Sequence, residues 1–226
     1  MPSVDRGLVR EYRVEFKWFP GFAVAQKQRS IASLHESAVE KLGLTRILEI
    51  STRSLHPIGV KLSAFNLLLE VDGERFPVLL EAAFQGSKVF ASQGPFTHLY
   101  RLADGRKVKR FMKELPDDRL VGFRFSGHDW PLLPRTAFYD WLYLNSLRRL
   151  VHEHGEVEDS LRNFDAFTDI EFNPGQSFSC QARSCALYLA LDQSGTLADA
   201  LSDPDAFIEL LTAHGYGVEL GEGRLL

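Results

Sequence analysis

Cysteine is scarce in this chain: Cys180 and Cys185 are the only two in 226 residues. With no second pair, neither a disulfide framework nor a cysteine zinc site is expected, and both read as small buried hydrophobes within one helix. No apolar run approaches the length of a membrane span, and the N-terminus, MPSVDRGLVREYRVEF, lacks both the apolar core of a signal peptide and a transit-peptide composition. A cytoplasmic protein with no membrane contact is expected. No Pro/Gly/Ser-rich linker divides the sequence, so residues 1–226 read as a single domain. Positive charge is not in excess either: a formal net charge of −4 argues against holding long nucleic acid by phosphate neutralisation alone. The local exception is Arg101, Arg106, Lys107, Lys109, Arg110 and Lys113, interrupted only by Asp104, which forms either a solvated helix face or a phosphate-contacting edge. GxGxxG, Walker, GxSxG and HExxH motifs are all missing. His152 and His154, two apart on a helix, point away from each other, so neither a metal nor a cofactor is expected.

What is present centres on Leu62 to Phe90. Asp72-Gly73 between two apolar runs predicts a tight type I′ hairpin, because Gly tolerates positive φ. Pro77 sits where a helix can begin. Glu81, Phe84, Gln85 and Lys88 follow at i, i+3, i+4 and i+7, which puts a carboxylate, an amide and an amine on one helical stripe. Such a stripe is commonly no more than a solvated face.

Elsewhere the chain reads as α+β, mostly helical with a small antiparallel or mixed sheet. Alternation over residues 9–18 predicts a half-buried strand, and helical spacing from Ala23 to Leu42, stopped by Gly43, predicts a helix. Lys27 and Arg29 near that helix start are either exposed first-turn residues or a pyrophosphate site. A buried strand is expected at Ile47 to Ile50, followed by the polar loop Ser51-Thr52-Arg53-Ser54. Further helices are predicted at Asp104 to Leu115, Leu133 to Val151, Ser179 to Leu191 and Pro204 to Ala213, the last capped by Asp203 and stopped by Gly215. A strand is expected at Leu120 to Phe125.

The stretch Leu62 to Phe90 resembles the core of the NADAR family. That pattern is a Leu-Ser-Asn-Phe turn, a short Asp-Gly hairpin, then Tyr-Pro-Thr-Val-Glu-His-x-Phe-Gln-x-x-Lys-Phe. Leu62-Ser63-Ala64-Phe65 stands for the first block, with Asn66 as stand-in for the asparagine, and Phe76-Pro77, Glu81, Phe84-Gln85 and Lys88 for the second. One extra residue separates Pro77 from Glu81, and the family His after Glu is Ala82. Trp130 matches a family Trp before the long helix, and Asp169 with Phe172-Asn173 matches an Asp followed by Trp-Gly. Residues 1–45 resemble an N-terminal extension of one branch, through Phe16-Lys17-Trp18 and Gln26-Lys27-Gln28. That branch looks like the antitoxin partner of DarT-type toxins that ADP-ribosylate guanine in DNA.

The resemblance implies an N-glycosidase that removes ADP-ribose from guanine bases in DNA, with a cognate ADP-ribosyltransferase toxin as a further partner. Glu81 is then the acid/base, and Lys88 or Lys61 the candidate Schiff-base nucleophile. Ser63, Phe65, Asn66, Gln85, Trp130, Asp169 and Ser51 would join Lys27 and Arg29 in holding the ADP-ribosyl ligand. Two alternatives stay open: an N-glycosidase acting on a riboflavin intermediate, and a non-catalytic antitoxin that binds ADP-ribose or neutralises the toxin by contact.

Overall fold

A computed structural model describes residues 7–173, 175 and 177–216. In chain order the elements are α1 (Val24–Leu42), β1 (Ile47–Glu49), α2 (Pro57–Lys61), β2 (Leu68–Leu69), β3 (Val78–Leu79), α3 (Leu80–Gly86) and β4 (Lys88–Phe90). A 3₁₀ turn (Thr97–Arg101) leads to α4 (Gly105–Glu114), β5 (Leu120–Phe125), β6 (His128–Trp130) and α5 (Ala137–Glu153). The last elements are α6 (Glu156–Arg162), β7 (Ala166–Thr168), α7 (Gln181–Gln193), α8 (Leu197–Ala200) and α9 (Pro204–Ala213). Helices with three small sheets make the fold α+β, as the sequence predicts. No described helix is long and apolar enough to cross a membrane.

The chain forms two compact units, one from the described residues of Met1–Ser63 and Val151–Leu197, the other from those of Ala64–Leu150 and Ala198–Leu226. In the first, β1 pairs in parallel with β7, Ile47 opposite Ala166, and α7 packs against β7. Ala38, Leu44 and Ala166 bury together, with Val14, Leu42 and Ile47 packed on them. In the second, β2 pairs with β3, and β4, β5 and β6 form an antiparallel sheet in that order. Its core is aromatic: Phe84, Phe123, Phe125, Trp130 and Phe138 form linked ring contacts, and Trp141 stacks edge-on against Phe207 of α9. Such pairs add offset or edge-to-face attraction to the area they bury.

Local signals were read well where a cap fixes an end. Gly43 closes α1 with its N–H on the Val39 carbonyl, and the Asp203 side chain accepts from the first turn of α9. Asp104, expected inside α4, is its N-cap, accepting from Arg106 N.

Several expectations are corrected. Residues 9–18 form no strand beyond a single bridge at Val9; the end of the segment is instead pinned by hydroxyls of α1, Ser33 Oγ accepting from Lys17 N and Ser30 Oγ from the N–H of Phe19, just beyond it. The hairpin at Asp72-Gly73 exists, but its strands are separated by residues 70–77 and only Gly73 has positive φ (84°), so the turn is not type I′. The type I′ signature lies at Ser126-Gly127, where φ is 46° and 78° and Phe125 faces His128 directly across the two-residue loop. The organising helix starts at Leu80 rather than Pro77, because Val78 and Leu79 are held in strand pairing with Leu69 and Leu68. It ends at Gly86, so Lys88 lies on β4 and not on the helix. Cys180 is the N-cap residue of α7 rather than part of it. The long helix α5 begins at Ala137, after the Leu133-Pro134 step.

Candidate functional site

In the second unit the candidate chemistry gathers around α3. The helix lacks a side-chain cap, and its first amides are satisfied by backbone instead: Leu80 N donates to Leu67 O at 2.9 Å and Glu81 N to Ala64 O at 3.3 Å. Ala64 and Leu67 therefore cap the helix that carries Glu81. Glu81 is 5% exposed and sits in the first turn, where the helix dipole favours a negative charge. Its Oε1 accepts from Gln85 Nε2 at 3.0 Å and lies 3.8 Å from Lys109 Nζ. The other amide atom of Gln85, Oε1, is buried with no partner among the described residues.

Gly105, the first residue of α4, makes room for this group. A Cβ there would fall 2.6 Å from Phe65 Cδ1 and 3.3 Å from Glu81 Cγ. The Phe65 ring consequently lies flat enough against the helix for Lys109 Nζ to sit 4.5 Å from its centroid. Lys88 Nζ is 5.3 Å from the Phe84 ring centroid. Burial pulls the Lys88 amine below the ordinary lysine range; the Glu81 charge opposes this and the Lys109 charge adds to it. Thus α3 and β4 bring Glu81, Gln85 and Lys88 into one electrostatic neighbourhood although they do not share a helix.

In the first unit a second polar cluster surrounds the ends of β1 and β7. Glu49 is 2% exposed, accepting from Thr168 Oγ1 at 2.6 Å and Ile170 N at 2.9 Å. Burial raises its pKa against these bonds and one from Ser51. With the Thr168 hydroxyl hydrogen given to the Glu49 carboxylate, His35 Nε2, 2.9 Å from Thr168 Oγ1, is the donor of that contact. Burial lowers the His35 pKa to about 4, so the ring is neutral. Asp169 accepts from Gln181 N and Nε2 through Oδ2 and from Glu171 N through Oδ1. Burial, reinforced by the Glu49 charge, lifts its pKa to about 6. A cavity of about 330 Å³ opens beside it, with Tyr12, Leu34, Ile47, Phe172 and Cys180 among its lining. The Cys180 thiol is pushed up to about 12 by burial, which leaves it unreactive.

The remaining predicted site residues fall as follows. Ser51 and Ser63 are buried at 1% exposure each, Asn66 is exposed, and Lys61 is exposed at the last turn of α2. Lys27 and Arg29 lie over the rings of Trp18 and Phe19, at 4.7 and 4.1 Å from the centroids. Trp130 is 2% exposed and packs against His128, Phe138 and Trp141. Sequence reading missed Gly105, Glu49, Thr168 and His35, and placed Lys109 only in the cationic run, not beside Glu81. Of the missed residues only Glu49 carried a signal, as a charged residue inside the apolar run Ile47 to Ile50.

No curated protein matches the chain. The sequence pattern of the DarT1-associated NADAR antitoxins matches residues 1–217, including the first 45 residues. The chain belongs to the DarT1-associated NADAR antitoxin family.

Proposed function

We propose that this protein is an N-glycosidase that removes ADP-ribose from guanine in DNA, and so reverses the modification made by a DarT1-type toxin. The observation that supports this reading most directly is a buried carboxylate, Glu81, in the electrostatic neighbourhood of a desolvated lysine, Lys88. One group can hold and return a proton, while the other can stand neutral as a nucleophile.

The proposed reaction begins with Glu81 protonating the ring oxygen of the amino-linked ribose. The C1–O bond opens and leaves an iminium between C1 and the guanine nitrogen. The neutral Lys88 Nζ adds to C1. A proton moves from Nζ to the guanine nitrogen, whose bond to C1 then breaks, releasing unmodified guanine and leaving a Lys88 Schiff base. Water, deprotonated by Glu81, adds to the same carbon. The C–Nζ bond breaks, the lysine is regenerated and the freed aldehyde recloses as ADP-ribose. One water is consumed in total. Asp169 and Ser51 remain proposed ligand contacts, and Lys61, exposed at the last turn of α2, is the weaker nucleophile candidate.

The test is incubation of purified protein with a guanine-ADP-ribosylated oligonucleotide, beside Glu81→Gln and Lys88→Arg. Wild type should release ADP-ribose, each variant should be slower by about 10²-fold or more, and borohydride should trap a sugar adduct on wild type but not on Lys88→Arg. Binding of the modified strand by wild type without release would overturn the proposal in favour of a binding antitoxin.

A further inference from the structure

The cationic run noted in the sequence lies almost wholly on α4, the helix whose Lys109 reaches Glu81. Five of its ten residues, Arg106, Lys107, Lys109, Arg110 and Lys113, are cations, and all five are exposed. At 100° per residue they cover one side of the helix, while Val108, Phe111 and Met112 cover the other. The apolar side anchors the helix: Val108 is fully buried, and Phe111 stacks edge-on against Phe96 and His98.

Two features distinguish this face from an ordinary solvated one. First, the face is not neutralised from within: Glu114, the one carboxylate inside α4, lies four residues after Arg110 but forms no ion pair with it. Among the described residues no acidic side chain pairs with Arg106, Lys107, Arg110 or Lys113, and Asp104 is occupied as the N-cap on the Arg106 amide. Second, two of the charges, Arg106 and Lys107, oppose the helix dipole. The first turn holds Arg106 and Lys107 with no acid, where stability alone would favour Asp or Glu. Unneutralised positive charge added to a positive helix end is a poor choice for folding and a good one for an anion.

We infer that the α4 face carries the phosphodiester backbone of single-stranded DNA beside the modified guanine; this rests on the reading of Glu81 as part of the glycosidase centre. Arg106, Arg110 and Lys113, at i, i+4 and i+7, form a row roughly 10 Å long. Each of the three cations of the row can take one phosphate of the strand. Lys109, on the flank of the row, marks where it meets the carboxylate. An overall charge of −4 is compatible with this, because only a short flanking segment is gripped.

The experiment compares wild type, Arg110→Glu/Lys113→Glu, and an equal-charge control, Lys17→Glu/Lys41→Glu, on two substrates: an ADP-ribosylated oligonucleotide and ADP-ribosylated guanosine. The α4 variant should raise KM for the oligonucleotide about tenfold at physiological salt and reduce the slope of log KM against log salt by about 1.4, for two lost phosphate contacts. Its turnover of the nucleoside should stay at the wild-type level, and the control should change neither. Unchanged oligonucleotide KM and slope, or an equal effect in the control, would overturn the inference. Should wild type hydrolyse neither substrate, the glycosidase reading fails separately, and the salt slope for binding an unmodified fluorescent oligonucleotide decides the α4 face. There a slope lost in the α4 variant supports the inference and an unchanged slope overturns it. Loss of binding to purified toxin with an unchanged DNA slope would also overturn it, making the face a protein contact.

Discussion

Asp169→Asn should change the way stability depends on pH, by an amount that follows from two buried groups. The folded-state pKa of Asp169 is about 6 against an ordinary 3.8, since burial and the Glu49 charge penalise its ionised form. A carboxyl raised on folding stabilises fully below the unfolded value and loses that contribution as pH rises through the folded one. The difference, a little over two units at ~1.4 kcal/mol each, is about 3 kcal/mol lost between roughly pH 4 and 6. His35 works in the opposite sense. Its pKa falls from 6.5 to about 4, so the unfolded chain binds a proton that the folded one does not, and stability rises with pH across about the same interval by about 3 kcal/mol. In the wild type the two offset one another. In Asp169→Asn the His35 contribution stands without the Asp169 one.

Urea unfolding of both proteins at intervals from pH 4 to 7 gives the difference curve, from which titrations common to both cancel. The wild type should gain about 3 kcal/mol over the variant on going from pH 6.5 to pH 4. The amide also faces three N–H donors that a carboxylate satisfies, which costs the variant about 1–3 kcal/mol at every pH and moves the curve without tilting it. Parallel pH profiles would refute the reasoning, because they would mean that Asp169 ionises in the folded protein as it does in the unfolded chain.

Lys109→Met removes a cation that helps hold the Lys88 amine below the ordinary lysine range. The rising limb of kcat/KM against pH should move toward alkaline pH and activity at neutral pH should fall several-fold, whereas Lys109→Arg leaves the profile in place; a limb that stays put in Lys109→Met would break the coupling argument. Trp130→Phe should cost about 1–3 kcal/mol in thermal or urea unfolding, through lost packing among Phe138, Trp141 and His128, with KM unchanged. A rise of tenfold in KM at unaltered stability would place Trp130 in the ligand site.

What the sequence made legible were elements whose ends are fixed locally. The limits of α1 and α9 follow from Gly43 and Asp203, each of which bonds within a few residues of itself. What stayed illegible were ends set by distant partners. The continuation of α3 is blocked because Phe96 N takes the Gly86 carbonyl and Arg124 N takes the Ser87 carbonyl, drawing the chain into β4. Neither donor is visible from the spacing of Glu81, Phe84, Gln85 and Lys88. Alternation at residues 9–18 likewise describes side-chain polarity and not a pairing edge, so it could not reveal that α1 hydroxyls would take the backbone amides. Within the candidate site, Glu81, Gln85 and Lys88 were readable through the family resemblance. Gly105, and the place of Lys109 beside Glu81, were not, since they follow only from the packing of α4 on α3.

The displacement of Lys88 from the helix bears on the proposed chemistry itself. On one helical face, i and i+7 lie two turns apart, roughly 10 Å, and a lysine there would extend along an exposed stripe as a hydrated ammonium. Such an amine is protonated at neutral pH and cannot attack a carbon. Ending the helix at Gly86 and returning the chain as a strand opposite Phe123 brings Lys88 against Phe84 instead, where loss of water favours the neutral amine. Glu81 meanwhile stays in the first turn of α3, bonded to the Gln85 amide. In the proposed reaction the helix thus holds the residue that carries the proton and the strand the residue that carries the sugar.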